Sequence, residues 1–301
     1  MVLIAGSANL DFVVRAGHIP APGETVLGRD FQTFAGGKGA NQAVACARAG
    51  GAATAMLLAL GNDAFAVPLT DSLTQAGVQL HVVRAAQPTG TAFICVSDDG
   101  ENAITVAPGA NSALHPEHLT QHGPGLQVVT HLLMQLETPL PTVHAYAQAA
   151  KAAGVQVVLN AAPARALPAQ LLALVDVLIV NEGELAALTT AHGTLEDKLT
   201  QLQVPCVVVT LGSAGCMALA QGKLITQPAY KVKVADTTGA GDTFCGVLVA
   251  ALAAQADGSK DWANLPQALA QASAAAALAC TQLGAQSSIP PLSAVQHLMQ
   301  Q

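Results

Sequence analysis

The chain has 301 residues, of which 51% are hydrophobic and 10% charged, and carries a net charge of -7. That length buries a core in one large α/β domain, and that charge excludes a basic face able to neutralise a nucleic-acid backbone or an anionic membrane, so a small-molecule partner is expected. The apolar runs, such as 244–254, fall short of the roughly 18–20 residues needed to span a bilayer, residues 1–6 lack the marks of a secretion signal, and the six cysteines at 46, 95, 206, 216, 245 and 280 form no C-x-x-C pair, which fits reduced thiols in a cytoplasmic protein.

Residues 2–5 read as a buried strand. The polar turn after it, Gly6-Ser7-Ala8-Asn9-Leu10-Asp11, lies where open α/β sheets bind ligands, outside strand C-termini, making Asn9 and Asp11 candidate contacts. A dinucleotide fold opens similarly, but Gly-x-Gly-x-x-Gly is absent and Asp11 comes far too soon for the ribose-binding acid expected about 20 residues on. From 12 to 34, extended segments broken by Pro20, Pro22, Gly23 and Gly28 predict a hairpin excursion, read as part of a lid. Gly36-Gly37-Lys38-Gly39-Ala40-Asn41 then opens an Ala-rich helix. It is not a Walker A loop, because Gln32 and Gly39 stand where that loop needs Gly and Ser or Thr; sugar hydroxyls are the expected guests.

A strand over 52–60, an amphipathic helix over 64–76 and a strand over 78–84 give the alternation of a doubly wound sheet. Runs 91–96 and 102–106, joined through the turn signal Asp98-Asp99-Gly100, predict a hairpin that completes the lid, so the chain is expected to be one domain, 1–301, with a lid from about 12–34 and 90–107. His115, His118 and His122 share one helical face without Cys or carboxylate support and read as a solvated surface, not a metal site. Strands at 128–133, 155–159 and 175–180 end at Glu137, Asn160 and Asn181-Glu182-Gly183-Glu184, so polar residues arrive repeatedly at one sheet edge. Asn181 and Glu184 serve equally as a helix cap or as functional groups. The strand 206–211 leads into Gly212-Ser213-Ala214-Gly215, flexible enough to wrap a nucleotide, followed by a hairpin over 215–220 and 223–226. A polar loop over 257–264 precedes an Ala-rich helix over 265–281.

Asp236-Thr237-Thr238-Gly239-Ala240-Gly241-Asp242-Thr243-Phe244 organises the rest. An apolar helix follows it, so its start points at a cleft, and Gly239, Ala240 and Gly241 offer free amides to an anion at a positive helix end. Asp242 beside a bound polyphosphate is repelled by it, unless its task is to take a proton from the hydroxyl that attacks phosphorus. A glycine loop capped by Asp236 or Asp242 is the structural alternative. A catalytically silent sugar sensor and a nicotinamide oxidoreductase are the competing classes; the first has little use for Asp242 and the second lacks its fingerprint.

Six motifs, in order, resemble the ribokinase-like (PfkB) carbohydrate kinases: Gly6-Ser7-x-Asn9-x-Asp11, the Gly36 to Ala43 stretch, Met134-Gln135-Leu136-Glu137, Asn181-x-x-Glu184, Leu211-Gly212-Ser213-x-Gly215 and Asp236 to Phe244. The resemblance implies a three-layer αβα sandwich, a mainly parallel sheet with a small β-sheet lid, and an ATP-dependent sugar kinase. It implies that Asn9, Asp11, Gly36, Gly37, Lys38, Asn41 and Glu137 hold the sugar, with Asp242 as base and Gly239 to Gly241 as anion hole. It further implies Asn181 and Glu184 at Mg²⁺, mainly through water, and Thr210, Leu211, Gly212, Ser213, Ala214, Gly215, Gly241 and Ser273 around ATP. A monovalent cation, K⁺, maps to Asp236, Thr238, Ala279, Gln282, Gly284 and Ser288. Members commonly pair as homodimers through the lid. The polar set suits a small polyhydroxy sugar, D-ribose leading and phosphorylated at O5, with deoxyribose, fructose, another small sugar or a nucleoside as alternatives. Two departures stand out: Asn160-Ala161-Ala162-Pro163-Ala164 replaces Asn-Pro-Ala-Pro-Ala, and Ser273 stands where His or Asn is usual near adenine.

Overall fold

A computed structural model describes residues 1–190, 193–254 and 262–300; the loop expected over 257–264 lies, up to 261, outside the described residues. The strands are β1 (Val2–Ala5), β2 (Asn9–Ala16), β3 (Arg29–Gly36), β4 (Thr54–Leu60), β5 (Gln79–Arg84), β6 (Gly90–Ser97), β7 (Asn102–Ala107), β8 (His131–Met134), β9 (Gln156–Asn160), β10 (Val177–Asn181), β11 (Cys206–Thr210), β12 (Cys216–Ala220) and β13 (Lys223–Gln227). The helices are α1 (Lys38–Val44), α2 (Ala66–Gln75), α3 (His118–Gln121), α4 (Leu140–Ala152), α5 (Ala169–Leu172), α6 (Glu182–Leu188), α7 (Leu195–Gln201), α8 (Ala240–Ala254), α9 (Leu265–Ala279) and α10 (Leu292–Met299).

Nine strands form one sheet in the order β13-β12-β11-β10-β9-β8-β1-β4-β5. It is parallel from β11 to β5, and β12 and β13 close one end antiparallel. Side chains alternate across it: Val2, Ile4 and Leu133 join a core beneath α1, α2, α8, α9 and α10, whereas Leu3, Ala5 and Leu132 join one beneath α3 to α7. Both faces being covered explains why these strands read as unbroken apolar runs. The chain leaves β1 toward β4 and β5, then returns to build β8 to β11 on the other side. The crevice at that reversal, outside the strand C-termini, is the binding position the topology dictates.

β3-β2-β6-β7 form a separate four-stranded sheet in which β2 and β6 run parallel and the outer pairs antiparallel. Residues 12–34 and 90–107 fall within it. The turn expected over 6–11 is shorter than that reading, because β2 starts at Asn9 and carries Asn9 and Asp11 on a strand. The strand expected at 128 starts instead at His131; Leu126–Val128 is a 3-10 turn that leaves Val128 exposed. His115, His118 and His122 pack ring against ring, and only His118 lies in the short α3.

The two sheets differ in burial: β8 is buried along its whole length and β7 exposed along its whole length. Leu132→Ala and Leu133→Ala, on opposite faces of β8, are each expected to lower the unfolding free energy by about 2–5 kcal/mol. Val128→Ala, at an exposed position just before β8, is expected to lower it by less than about 0.5 kcal/mol, all three read from urea unfolding curves.

Candidate active site

α8 is buried without interruption from Thr243 to Ala251, so its axis is fixed and its first turn faces the crevice. Gly239 ends the preceding loop at φ 75, where a Cβ would also stand 3.0 Å from Cα of Ala285; glycine meets both demands. Gly239, Gly241 and Asp242 line a cavity of about 150 Å³ with Lys38, Asn160, Ala162, Ile179, Val180, Asn181, Glu184, Thr210 and Cys245. A Cβ on Gly241 would meet nothing within 4 Å, so the approach to that turn is open.

Asp242 is held by both oxygens. Asn41 Nδ2 donates to Oδ2 at 2.9 Å and Gln42 Nε2 donates to Oδ1 at 3.0 Å. The Lys38 ammonium is drawn above its ordinary value first by Asp242, with burial opposing and Glu137 and Glu184 reinforcing. It remains a cation at every working pH.

On the other side of Asp242, loops 6–9 and 36–39 touch backbone to backbone. Gly37 has φ 88, and a Cβ there would lie 2.7 Å from both Cα of Ala8 and the amide nitrogen of Asn9. The start of α1 is already occupied: Lys38 N donates to Glu137 Oε2 at 3.1 Å, and Gly39 N donates to Ser7 Oγ at 3.2 Å. Ser7 in turn donates to the same Glu137 oxygen at 2.6 Å. The Lys38 and Gly39 amides are therefore already engaged within the protein. Asn111 Nδ2 donates to Asn9 Oδ1 at 2.7 Å, and its Oδ1 accepts from Ala8 N at 3.0 Å. With that oxygen engaged, Asn9 has its own N–H groups left to donate. Asp11 is raised to about 7, first by burial and then by the charges of Glu137 and Asp242, which places both of those acids within electrostatic reach of it.

Across the cavity, Asn181 and Glu184 form a reciprocal capping box at α6: Glu184 N donates to Asn181 Oδ1 and Asn181 N to Glu184 Oε2, both at 2.8 Å. They also line the cavity, so cap and site are the same residues. Burial raises Glu184, the Asn181 amide and then Lys38 oppose it, and Asp242 adds to it. Thr210 stands at the end of β11, and Leu211, Gly212, Ser213, Ala214 and Gly215 continue beyond it outside the cavity wall. Ser273 is buried on α9 with its hydroxyl 3.7 Å from Cys216 Sγ, also outside that wall.

Asp236 stitches two segments together: Oδ1 accepts from Thr238 N at 2.9 Å and Thr238 Oγ1 at 2.7 Å, and Oδ2 accepts from Gly284 N at 2.9 Å. Burial alone would raise this acid, but the Gly284 and Thr238 donors overcome it and hold it below the usual carboxylate range. Ala279, Gln282, Gly284 and Ser288 lie on the segment so joined.

Sequence reasoning missed the roles of Ser7, Gln42, Asn111 and Gln135, whereas Asn160 stands on the cavity wall at the sheet edge where it was expected. Gln42 follows the candidate contact Asn41, but a glutamine inside a short helix carries no mark of burial. Asn111 lies in a 3-10 turn far from every recognisable motif.

The profile of the pfkB family carbohydrate kinases matches residues 1–292. Over 296 residues the chain is 39% identical to a ribokinase of Haemophilus influenzae, an alignment covering 95% of this chain and 94% of that protein. A ribokinase of Thermotoga maritima superposes with a TM-score of 0.89 at 33% identity, covering 100% of this chain and 99% of that one. Arabidopsis thaliana ribokinase complexed with ribose and ATP superposes with a TM-score of 0.87 at 33% identity, covering 100% and 98%. Motif order, sheet topology and a profile match over nearly the whole length agree, and the chain belongs to the pfkB family of carbohydrate kinases.

Proposed function

We propose that this chain is an ATP-dependent ribokinase, transferring the γ-phosphoryl of ATP to O5 of D-ribose to give ribose 5-phosphate and ADP. The observation that carries the reading is Asp242, gripped by two side-chain amides at the open start of α8, between the polar groups of β2 and α1 and a cavity reaching the ends of β9 to β11. Full-length relatives named ribokinase support ribose as the acceptor.

Ribose sits among Asn9, Asp11, Gly36, Gly37, Lys38, Asn41 and Glu137, with O5 against Asp242. Asp242 takes the O5 proton as that oxygen bonds to the γ-phosphorus, and the bond from phosphorus to the bridging oxygen of ADP breaks. The amides of Gly239 and Gly241, with the Lys38 cation, offset the charge that builds on the phosphoryl oxygens; the Ala240 amide, expected to be free, instead donates to the Thr237 carbonyl at 3.2 Å. ATP extends from Gly241 past Asn181, Glu184 and Thr210 along residues 211–215 toward Ser273.

Glu184, a buried acid at the cavity wall, fits a divalent cation held with Asn181 through water; Mg²⁺ there supplies charge neutralisation on the phosphates. K⁺ is assigned to Asp236, Thr238, Ala279, Gln282, Gly284 and Ser288, on the two segments that Asp236 joins, where it would stiffen the loop before α8. The small sheet acts as a lid that keeps water from the γ-phosphoryl. No helix among the described residues is long and apolar enough to cross a membrane, and ATP use with free thiols suits the cytoplasm.

The lid also supports a homodimer. Its register puts Asp11, Ala92 and Val106 on one face, with Ile94 and Ile104 further along. Ile104 and Val106 are 54% and 42% exposed, an apolar surface that a second copy would cover together with the open strand edges.

Three outcomes are expected. Asp242→Asn lowers kcat by about 10²–10⁴-fold while calorimetry finds ribose and ATP binding nearly unchanged. It folds because Asn41 Oδ1, buried without a partner, can turn to accept from the new amide; near-normal turnover would remove Asp242 as the base. Ribose hydroxyls favour ionised Asp11, so ribose affinity rises with pH up to about 7 and levels off above it, with proton release on binding. Asp11→Asn binds ribose more weakly and without that slope. Ile104→Asp combined with Val106→Asp sediments as a monomer where the wild type sediments as a dimer.

A further inference from the structure

Gln42 is fully buried on α1, yet its amide meets three polar side chains from three other segments. Nε2 lies 3.0 Å from Asp242 Oδ1 and 3.0 Å from Asn160 Oδ1, and Oε1 accepts from Gln135 Nε2 at 2.6 Å. The sense of this chain is set by chemistry. An ionised carboxylate only accepts, so the nitrogen of Gln42 must face Asp242, and its two hydrogens divide between Asp242 and Asn160. Asn160 then gives its own N–H to the Ile179 carbonyl at 3.2 Å. Gln42 Oε1 can be met only by a donor, and Gln135 supplies it. The mismatch is left at Gln135 Oε1, buried without a partner, two links from the acid.

A glutamine kept only for packing has no need of this order, since an apolar side chain of equal length would fill the same space without desolvating an amide. Asn41 donates to the other oxygen of Asp242, so consecutive residues of one helix grip both ends of the carboxylate. We propose that Gln42 is the positioning residue of the catalytic base, fixing the rotation of the Asp242 carboxylate against the incoming sugar hydroxyl, with Gln135 fixing Gln42 in turn. This rests on the reading of Asp242 as the base. The titratable groups facing Asp242 are Lys38 on α1, Asp11 on β2, Glu184 on α6 and Cys245 on α8 itself. Gln42, like Asn41, is an uncharged donor to Asp242, so replacing it with methionine alters the setting of the base without altering net charge.

The test measures kcat and KM against pH for ribose phosphorylation by the full chain and by three variants. Gln42→Met keeps the length of the side chain and removes the donor. Losing a hydrogen bond to its charged form raises the proton affinity of a carboxylate, so the acid limb of kcat moves up by about one pH unit. At neutral pH kcat falls about 10²-fold, with KM for ribose and ATP near the wild-type values. Gln42→Glu keeps the shape but sets two carboxyls about 3 Å apart, which hold one proton between them. The new carboxyl donates to Asp242 only while protonated, and an alkaline limb absent from the wild type appears. A folded Gln42→Met with the wild-type kcat and acid limb overturns the proposal, as does Gln42→Glu without the extra limb; if Gln42→Met does not fold, the Gln42→Glu profile decides. A wild type that phosphorylates no sugar, or an active Asp242→Asn, overturns the functional reading and this inference with it. Wild type and Asp242→Asn behaving as expected, beside unaltered Gln42 variants, overturns this inference alone.

Discussion

Everything at this site depends on holding one carboxylate in a fixed orientation at the start of a buried helix. The geometry resolves a conflict, because the same helix end that attracts the phosphates of ATP also holds an acid they repel. Two neutral amides hold Asp242 in place from the side away from the cavity, and Lys38 supplies the positive charge that makes a crowded, acidic crevice tolerable. Asp11, Glu137 and Glu184 would otherwise make a second anion costly.

The fold reaches this arrangement by delivering groups from many short segments to one edge. Strand ends bring Glu137, Asn160, Asn181 and Thr210; α1 and α8 bring Lys38, Asn41 and Asp242 from the opposite layer. None of these elements makes the site alone, and the apolar layers beneath set the distances. The small sheet is different in kind. Its outer strands, β3 and β7, are largely exposed, and it is tied to the crevice where Asn111 clasps Ala8 and Asn9.

Much of this could be read from the chain. Strand ends with polar residues, a glycine-rich turn before an apolar helix and an acid in its first turn are local signals, and local signals survive in sequence. The doubly wound sheet followed from alternation of strand and helix patterns, and the family, with the three-layer sandwich it implies, from six motifs in order. What stayed hidden was long-range or depended on burial. Asn111 meets Asn9 across a separation of 102 residues and Gln42 meets Asp242 across 200, and nothing near either residue announces its partner. Asn9 and Asp11 looked like a turn because polar residues after a strand usually are one; they lie instead on the strand Asn9–Ala16.

Glu137 has a wider effect than its place among the sugar contacts indicates. Two helix starts, those of α1 and α8, face a common crevice, and the first is already capped internally by this carboxylate and Ser7. An acceptor arriving with a phosphate of its own would find negative charge where a second anion seat would have to be. On this geometry a neutral polyol would be favoured over a phosphorylated one by charge as well as by shape.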